Sequence, residues 1–245
     1  MSFFLILLSS FSWAKTPKEI LEEAIAKQQI ENSIQTLTMT LFAKNGSIQE
    51  RKMEIHVRKD EDAVRSYTRF SSPPEIAGTQ LLLVDHPNQD DPQLLYLPAL
   101  KRVQRIAGGQ KDGAFLGSDF LFSDLELSLD GKETHSITEE NEEEWVIQSS
   151  NPQNKQYKYW VTTISKKDLL PYRISYYAKN GSHIKTFSIE KTMTVDGRII
   201  PAITVMSNHL KGTKTKLEIN SIAINLSEDK LPLERFLPQN LKTDD

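Results

Sequence analysis

The chain has 245 residues, with 30 Lys or Arg against 33 Asp or Glu, a formal charge of −3. So even a balance gives no broad phosphate-binding footprint and points away from nucleic acid. There are no cysteines, which excludes disulfides, thiolate-held zinc, iron–sulfur clusters, thiol catalysis and an N-terminal lipidated cysteine. With 38% hydrophobic and 26% charged residues, the chain is neither disordered nor a multi-span membrane protein, and its length suits one all-β or α+β domain.

Met1 to Ala14 reads MSFFLILLSSFSWA. It has an apolar run from Phe3 to Leu8 and small residues, Ser12 and Ala14, placed for cleavage before Lys15. This is the outline of a secretory signal, with only the terminal amine as positive charge ahead of the run. A spanning helix needs about 20 apolar residues, so the segment is too short for one. The expectation is cleavage after Ala14 and a periplasmic protein from residues 15 to 245, where the absence of free thiols suits an oxidising compartment.

Thr16-Pro17-Lys18-Glu19 starts a helix: Thr16 caps, Pro17 fits the first position and Glu19 completes a capping box. Ile20, Leu21, Ala24 and Ile25 recur at helical spacing, and the helix is expected to end near Glu31. Leu37, Met39 and Leu41, then Met53, Ile55 and Val57, alternate with polar residues about the turn Lys44-Asn45-Gly46-Ser47. They predict a hairpin with one apolar face and one wet face. Val64 to Phe70 continues the series. Leu81 to Val84 is continuously apolar, so that strand is expected to be covered on both faces.

Gln93 to Leu97 and Lys101 to Ile106 flank Pro98 as a further hairpin; Gly108 to Gly113 reads as a flexible loop, and Asp119 to Leu125 as a short helix capped by Ser118. Strands follow at 133–138, 145–149, 157–164, 172–178, 184–195, 199–207 and 214–224. A helical turn is expected at Pro232 to Phe236 and a loose tail from Gln239. About a dozen strands joined by short turns, without a βαβ rhythm, make an antiparallel sheet. The second Lys-Asn-Gly-Ser, at 179–182, reads as shared turn chemistry and not as a duplication, because the flanks differ.

Catalysis has little to stand on. The five histidines, His56, His86, His135, His183 and His209, lie far apart without a ligand pair at helical spacing. Those at 56, 183 and 209 read as exposed strand positions. Asp90-Asp91 reads as a solvated turn, and Glu139 to Glu144 as a wet hairpin tip. No phosphate loop or nucleophile elbow occurs, so no catalytic residue, metal or cofactor is assigned. A one-sided sheet of this size exceeds what one helix covers, so it either closes or leaves an apolar hollow.

Tyr96-Leu97-Pro98-Ala99-Leu100-Lys101-Arg102-Val103-Gln104-Arg105-Ile106, then Phe115-Leu116-Gly117-Ser118-Asp119-Phe120 and Asp124-Leu125, resemble a signature of LolA-like outer-membrane lipoprotein-sorting proteins, in the branch of uncharacterised exported proteins. The resemblance implies a mostly β, α+β fold. In it, an incomplete antiparallel barrel of about eleven strands wraps over a long N-terminal helix and a short mid-chain helix. It also implies an apolar cavity that receives acyl chains.

On that basis the candidate cavity residues are Leu37, Met39, Leu41, Met53, Ile55, Val57, Phe115, Phe120 and Phe122. The three phenylalanines read equally as pins between the short helix and the sheet. Lys101, Arg102 and Arg105 are candidates for lipid headgroups or a partner, against the plainer reading of a wet strand face; Asp119 is assigned to the dipole of the short helix. The implied function is a non-catalytic periplasmic carrier of lipids or lipoprotein acyl chains toward the outer membrane. It would be a monomer, with transient membrane contact and an inner-membrane transporter as a further partner. The alternative is a periplasmic adaptor or sensor whose cavity is filled by its own side chains.

Overall fold

The computed structural model describes residues 15–86, 93–126, 129 and 131–241. The expected signal segment and the Asp90-Asp91 turn lie outside the described residues.

Helix α1 (Pro17–Gln28) starts as its sequence dictates: Thr16 Oγ1 accepts from the Glu19 amide at 3.2 Å, and the Glu19 carboxylate accepts from the Thr16 amide at 2.7 Å. It ends at Gln28, short of Glu31, whose carboxylate instead accepts from Lys59 at 2.7 Å. Thirteen strands follow, two more than the expected eleven. The first six are β1 (Ser33–Phe42), β2 (Ile48–Lys59), β3 (Val64–Ser72), β4 (Gln80–Asp85), β5 (Gln93–Leu97) and β6 (Arg102–Ile106). The other seven are β7 (Thr134–Glu140), β8 (Glu144–Ser150), β9 (Tyr157–Ser165), β10 (Pro171–Ala178), β11 (His183–Val195), β12 (Arg198–Asn208) and β13 (Thr213–Ala223).

All thirteen form one antiparallel sheet in the order β6-β5-β4-β3-β2-β1-β13-β12-β11-β10-β9-β8-β7. Two meanders therefore meet at a single seam, where β1 pairs β13 from Ile34 opposite Ala223 to Phe42 opposite Lys214. The sheet stays open, with β6 and β7 as its edges. To pass from one edge to the other, the chain between β6 and β7 crosses the sheet as a strap.

Side chains from both meanders converge on this strap. Leu37, Met39, Met53, Phe70, Leu81, Leu95 and Ile106 share one cluster with Met206 of β12 and with Phe115, Phe120 and Phe122 of the strap. Contact from strands so far apart in the sheet means that the sheet curves into a trough around the strap. At the far end of the trough Ile20, Leu21 and Ala24 of α1 pack on Ile147 and Ile164 of β8 and β9.

The strap is not the flexible loop and short α-helix expected. It is a series of short 3-10 turns, Gly108–Asp112, Phe115–Gly117 and Ser123–Leu125, pinned by polar contacts to distant strands. The other face of the first meander carries a second cover. Leu231, Phe236 and Leu241 pack with Leu82, Ile34 and Tyr67 on the outside of β1, β3 and β4. The tail is therefore anchored as far as Leu241, and the β1–β2 hairpin is not uniformly wet outside: His56 and Arg58 are buried under it. β4 is covered on both faces as its apolar run requires, with Leu81 in the inner cluster and Leu82 in the outer one.

The turn chemistry holds at both Lys-Asn-Gly-Ser sites. The Ala43 amide donates to Ser47 O at 2.9 Å and the Ala178 amide to Ser182 O at 2.9 Å. Gly46 and Gly181 supply the left-handed conformation, φ 86° and 83°.

Candidate functional site

Between the strap and the inner face of β1–β4 lies a cavity of about 250 Å³. The alternation of β2 brings Met53, Ile55 and Val57 to its wall, and Met39 of β1, Leu81 and Leu83 of β4 and Leu217 of β13 extend it. Phe115, Phe120 and Leu125 of the strap close the opposite side. Gln28, Gln29 and Glu31, from the end of α1 and the loop after it, bring polar groups to the lining. Gln28 keeps its Oε1 buried with no hydrogen-bond partner among the described residues. Glu31 is the one ionisable side chain in the described lining.

Six of the nine candidate cavity residues, Met39, Met53, Ile55, Val57, Phe115 and Phe120, are in this lining. Leu37, Leu41 and Phe122 belong to the same apolar cluster but not to the wall. Phe122 backs Phe115 edge-on, with ring centroids 5.5 Å apart, so the two readings of the phenylalanines, lining and pin, coexist on the strap. Lys101, Arg102 and Arg105 are exposed at and along the edge strand β6 and take no part in the lining.

Polar contacts fix the strap over the cavity. Asp119 is not a helix-dipole residue. Its carboxylate accepts from Thr213 Oγ1 at 2.6 Å and Thr215 Oγ1 at 3.0 Å, while its amide donates to Thr215 Oγ1 at 2.9 Å. Arg51 Nη1 donates to Leu116 O at 2.6 Å, Gln93 Nε2 to Phe122 O at 2.8 Å, and the buried Lys111 pairs with Glu126 at 2.6 Å.

Asp124 of the strap faces Lys185 of β11, Oδ2 to Nζ 3.5 Å, and Lys185 Nζ also donates to Tyr157 Oη at 3.2 Å. Burial pushes the Asp124 carboxyl up and the Lys185 ammonium down, each opposed by the charge of the other. Sequence reading missed this pair. Lys185 shares the inner face with Phe187, two residues on, and pairs with Tyr176; a register shift beyond it, between Tyr176 and Tyr177, sets His183 opposite Tyr177 instead.

Of the three histidines read as exposed, His183 and His209 are exposed and His56 is not. His56 is buried: Arg235 Nη1 donates to its Nδ1 at 2.7 Å, and its Nε2 meets the Glu54 carboxylate. Burial, ahead of the Arg235 charge, lowers the His56 pKa, against the pull of Glu54. His183 and His209, 26 residues apart in the sequence, meet with rings tilted by 51° and centroids 4.6 Å apart, and both Nε2 atoms lie 2.9 Å from Thr186 Oγ1.

The lining is mostly hydrocarbon, with polar groups from the end of α1 and from Gln35, Ser66 and Thr68 of the strands, and such a chamber has the chemistry to hold an apolar chain. Comparison with known proteins fits such a frame. An outer-membrane lipoprotein-sorting protein domain from Vibrio parahaemolyticus superposes with a TM-score of 0.80 at 26% identity, covering 92% of this chain and 97% of that one. A DUF1329 family protein from Desulfovibrio piger gives 0.80 at 21% identity over 91% and 97% of the two chains. A LolA superfamily protein from Nitrosomonas europaea gives 0.70 at 16% over 93% and 100%. No curated protein matches. A family model described as "-like: Uncharacterized protein" matches residues 62–243. The chain belongs to that family, and its fold is that of the LolA-like lipoprotein-sorting proteins.

Proposed function

We propose that this protein is a non-catalytic periplasmic carrier that holds the acyl chain of a lipid or lipoprotein in the cavity between β1–β4 and the strap, for passage toward the outer membrane. Export depends on the segment Met1 to Ala14, removed to leave Lys15 first. The carrying observation is the open apolar volume itself. A core filled by its own side chains, which the adaptor alternative requires, would leave no such space; here about 250 Å³ remains, room for roughly eight groups of water size at about 30 Å³ each. The unpaired Gln28 Oε1 offers an acceptor to a hydroxyl or amide near the head of the chain. The 26%-identical lipoprotein-sorting domain supports the same reading.

Cavity filling tests it. Val57→Trp and Leu83→Trp put bulk into the lining without adding charge. Each is expected to weaken a fluorescent fatty-acid probe by about tenfold or more, and native mass spectrometry should show a lipid retained by the unmodified protein and lost from the variants. Unchanged probe affinity in two variants that remain folded sinks the proposal.

A further inference from the structure

The two rims of the sheet have opposite charge. In an antiparallel meander the turns alternate between rims, so the topology decides which turns lie together. One rim collects the turns β1–β2, β3–β4, β5–β6, β8–β9, β10–β11 and β12–β13. Lys44 and Lys211 lie in two of these turns, Lys214 lies beside them at the start of β13, and Lys155 and Lys179 lie in two neighbouring turns. Lys101 and Arg102 extend the series to the β6 edge. All are exposed and none is in an ion pair among the described residues; the acids near this rim include Glu75, Glu133 next to Lys132, and two of the strap, Asp119, held by Thr213 and Thr215, and Asp112, whose carbonyl accepts from Gln156. The opposite rim carries Asp60, Glu61 and Asp62 between β2 and β3, Glu142 and Glu143 between β7 and β8, and Asp196 between β11 and β12, against Lys166 and Lys167 beside Asp168 between β9 and β10. A net charge of −3 hides this separation.

The basic rim is also where apolar side chains stand out in solvent. Leu210 is 71% exposed, Ile48 59% and Leu100 53%. The β1–β2 and β12–β13 turns are neighbours across the seam: a Cβ on Gly212 would meet the Lys44 side chain at 3.5 Å. Between these turns lies an open depression of about 510 Å³ lined by Phe42, Asn208, His209, Thr213 and Lys214. Lys214 stands over the Phe42 ring at 4.7 Å.

We propose that this rim docks the protein on an anionic bilayer surface, with the Lys44, Lys211 and Lys214 cluster meeting lipid phosphates and Leu210 entering the interface. Cations at the surface draw the protein to anionic lipid, and an exposed leucine set among them gains by leaving water. An acidic protein surface would use the cations but has no need of a bare leucine at their centre. The inference stands apart from the cavity proposal, because its surface shares no residue with the cavity lining.

Vesicle flotation of the mature chain tests it, with phosphatidylcholine alone or mixed with phosphatidylglycerol. Binding is expected only with phosphatidylglycerol, and to collapse near 1 M salt, where the Debye length is about 3 Å. The triple variant Lys44→Glu, Lys211→Glu, Lys214→Glu should lose about tenfold or more in affinity. A control with the same charge change, Lys167→Glu, Lys191→Glu, Lys230→Glu, should retain it. Leu210→Ser should weaken binding severalfold while leaving its salt dependence unchanged. Equal binding to neutral vesicles, equal losses in both triple variants, or full vesicle binding in Leu210→Ser overturns the proposal; the last result, together with binding to soluble polyglutamate, would identify an acidic protein as the occupant. The fatty-acid probe, read in parallel, reports on the cavity independently.

Discussion

The two meanders that meet at the β1–β13 seam are built from similar strands but are finished differently. The first, β1–β6, is enclosed on both faces: the strap lies inside, and the segment through Leu231, Phe236 and Leu241 outside. The second, β7–β13, takes α1 and part of the strap inside. On its outside it shows a ladder of rings, Tyr159 on Tyr177 at 4.5 Å and Tyr177 on His183 at 5.1 Å. The cavity belongs to the doubly covered half. An internal space costs packing energy, and a wall clamped from behind is one that does not collapse into it.

The contrast can be broken by removing the outer cover. Deleting residues 225–245 strips three fully buried side chains worth about 1.5–3 kcal/mol each and uncovers Arg58, which donates to Leu231 O at 2.8 Å. The expected result is a loss of more than about 5 kcal/mol in denaturant unfolding, or an insoluble chain. Amide exchange should rise in β2–β4 before β8–β10. Uniform exchange across both halves would show that the sheet is a single cooperative unit.

Next in size is the link between the halves. Asp124→Leu leaves Lys185 buried without its partner, a change expected to cost about 3–5 kcal/mol. Adding Lys185→Met should recover most of that loss, since two apolar groups then fill the site. If the double variant is as unstable as the single, the pair matters for shape and not for charge. A smaller effect is expected from Thr215→Val, which removes one donor to the Asp119 carboxylate: about 1–3 kcal/mol, by the same measurement.

The smallest test is pH. His56 has its folded pKa lowered, so the native state binds fewer protons than the unfolded chain in the window just below the ordinary histidine value of about 6.5. Stability should therefore fall as pH drops through that window, and His56→Gln should flatten the slope. A slope unchanged in His56→Gln would assign the acid sensitivity elsewhere.

The strands were readable because alternation and turn residues are local. Leu37 to Leu41 and Met53 to Val57 point to one face, and Asn-Gly turns fix their pairing. That locality is also why the same reading found the β2 wall of the cavity. It could not see the outer cover, because residues 225–241 have no period and reach the sheet as 3-10 turns carrying single anchors such as Phe236. Nor could it place the strap, whose position is set by Asp119 on β13 and Asp124 on β11, about 60–100 residues away in sequence. Lys185 was passed over because a lysine in a strand reads as a wet position until Asp124, 61 residues away, is seen to face it. Rim charge was equally invisible, since it exists only once the turns are sorted by topology.

The seam has a consequence for how the molecule is made. Every other strand pair joins sequence neighbours, so each hairpin can close soon after it is synthesised. The β1–β13 pair joins residues about 180 apart, and loops of that length close late. Until β13 arrives, β1 is a ten-residue unpaired edge beside the apolar wall, the type of template on which chains aggregate. The last long strand is thus the one whose arrival turns two sticky half-sheets into a single soluble surface, and a chain released before residue 213 would retain the hazard without the remedy.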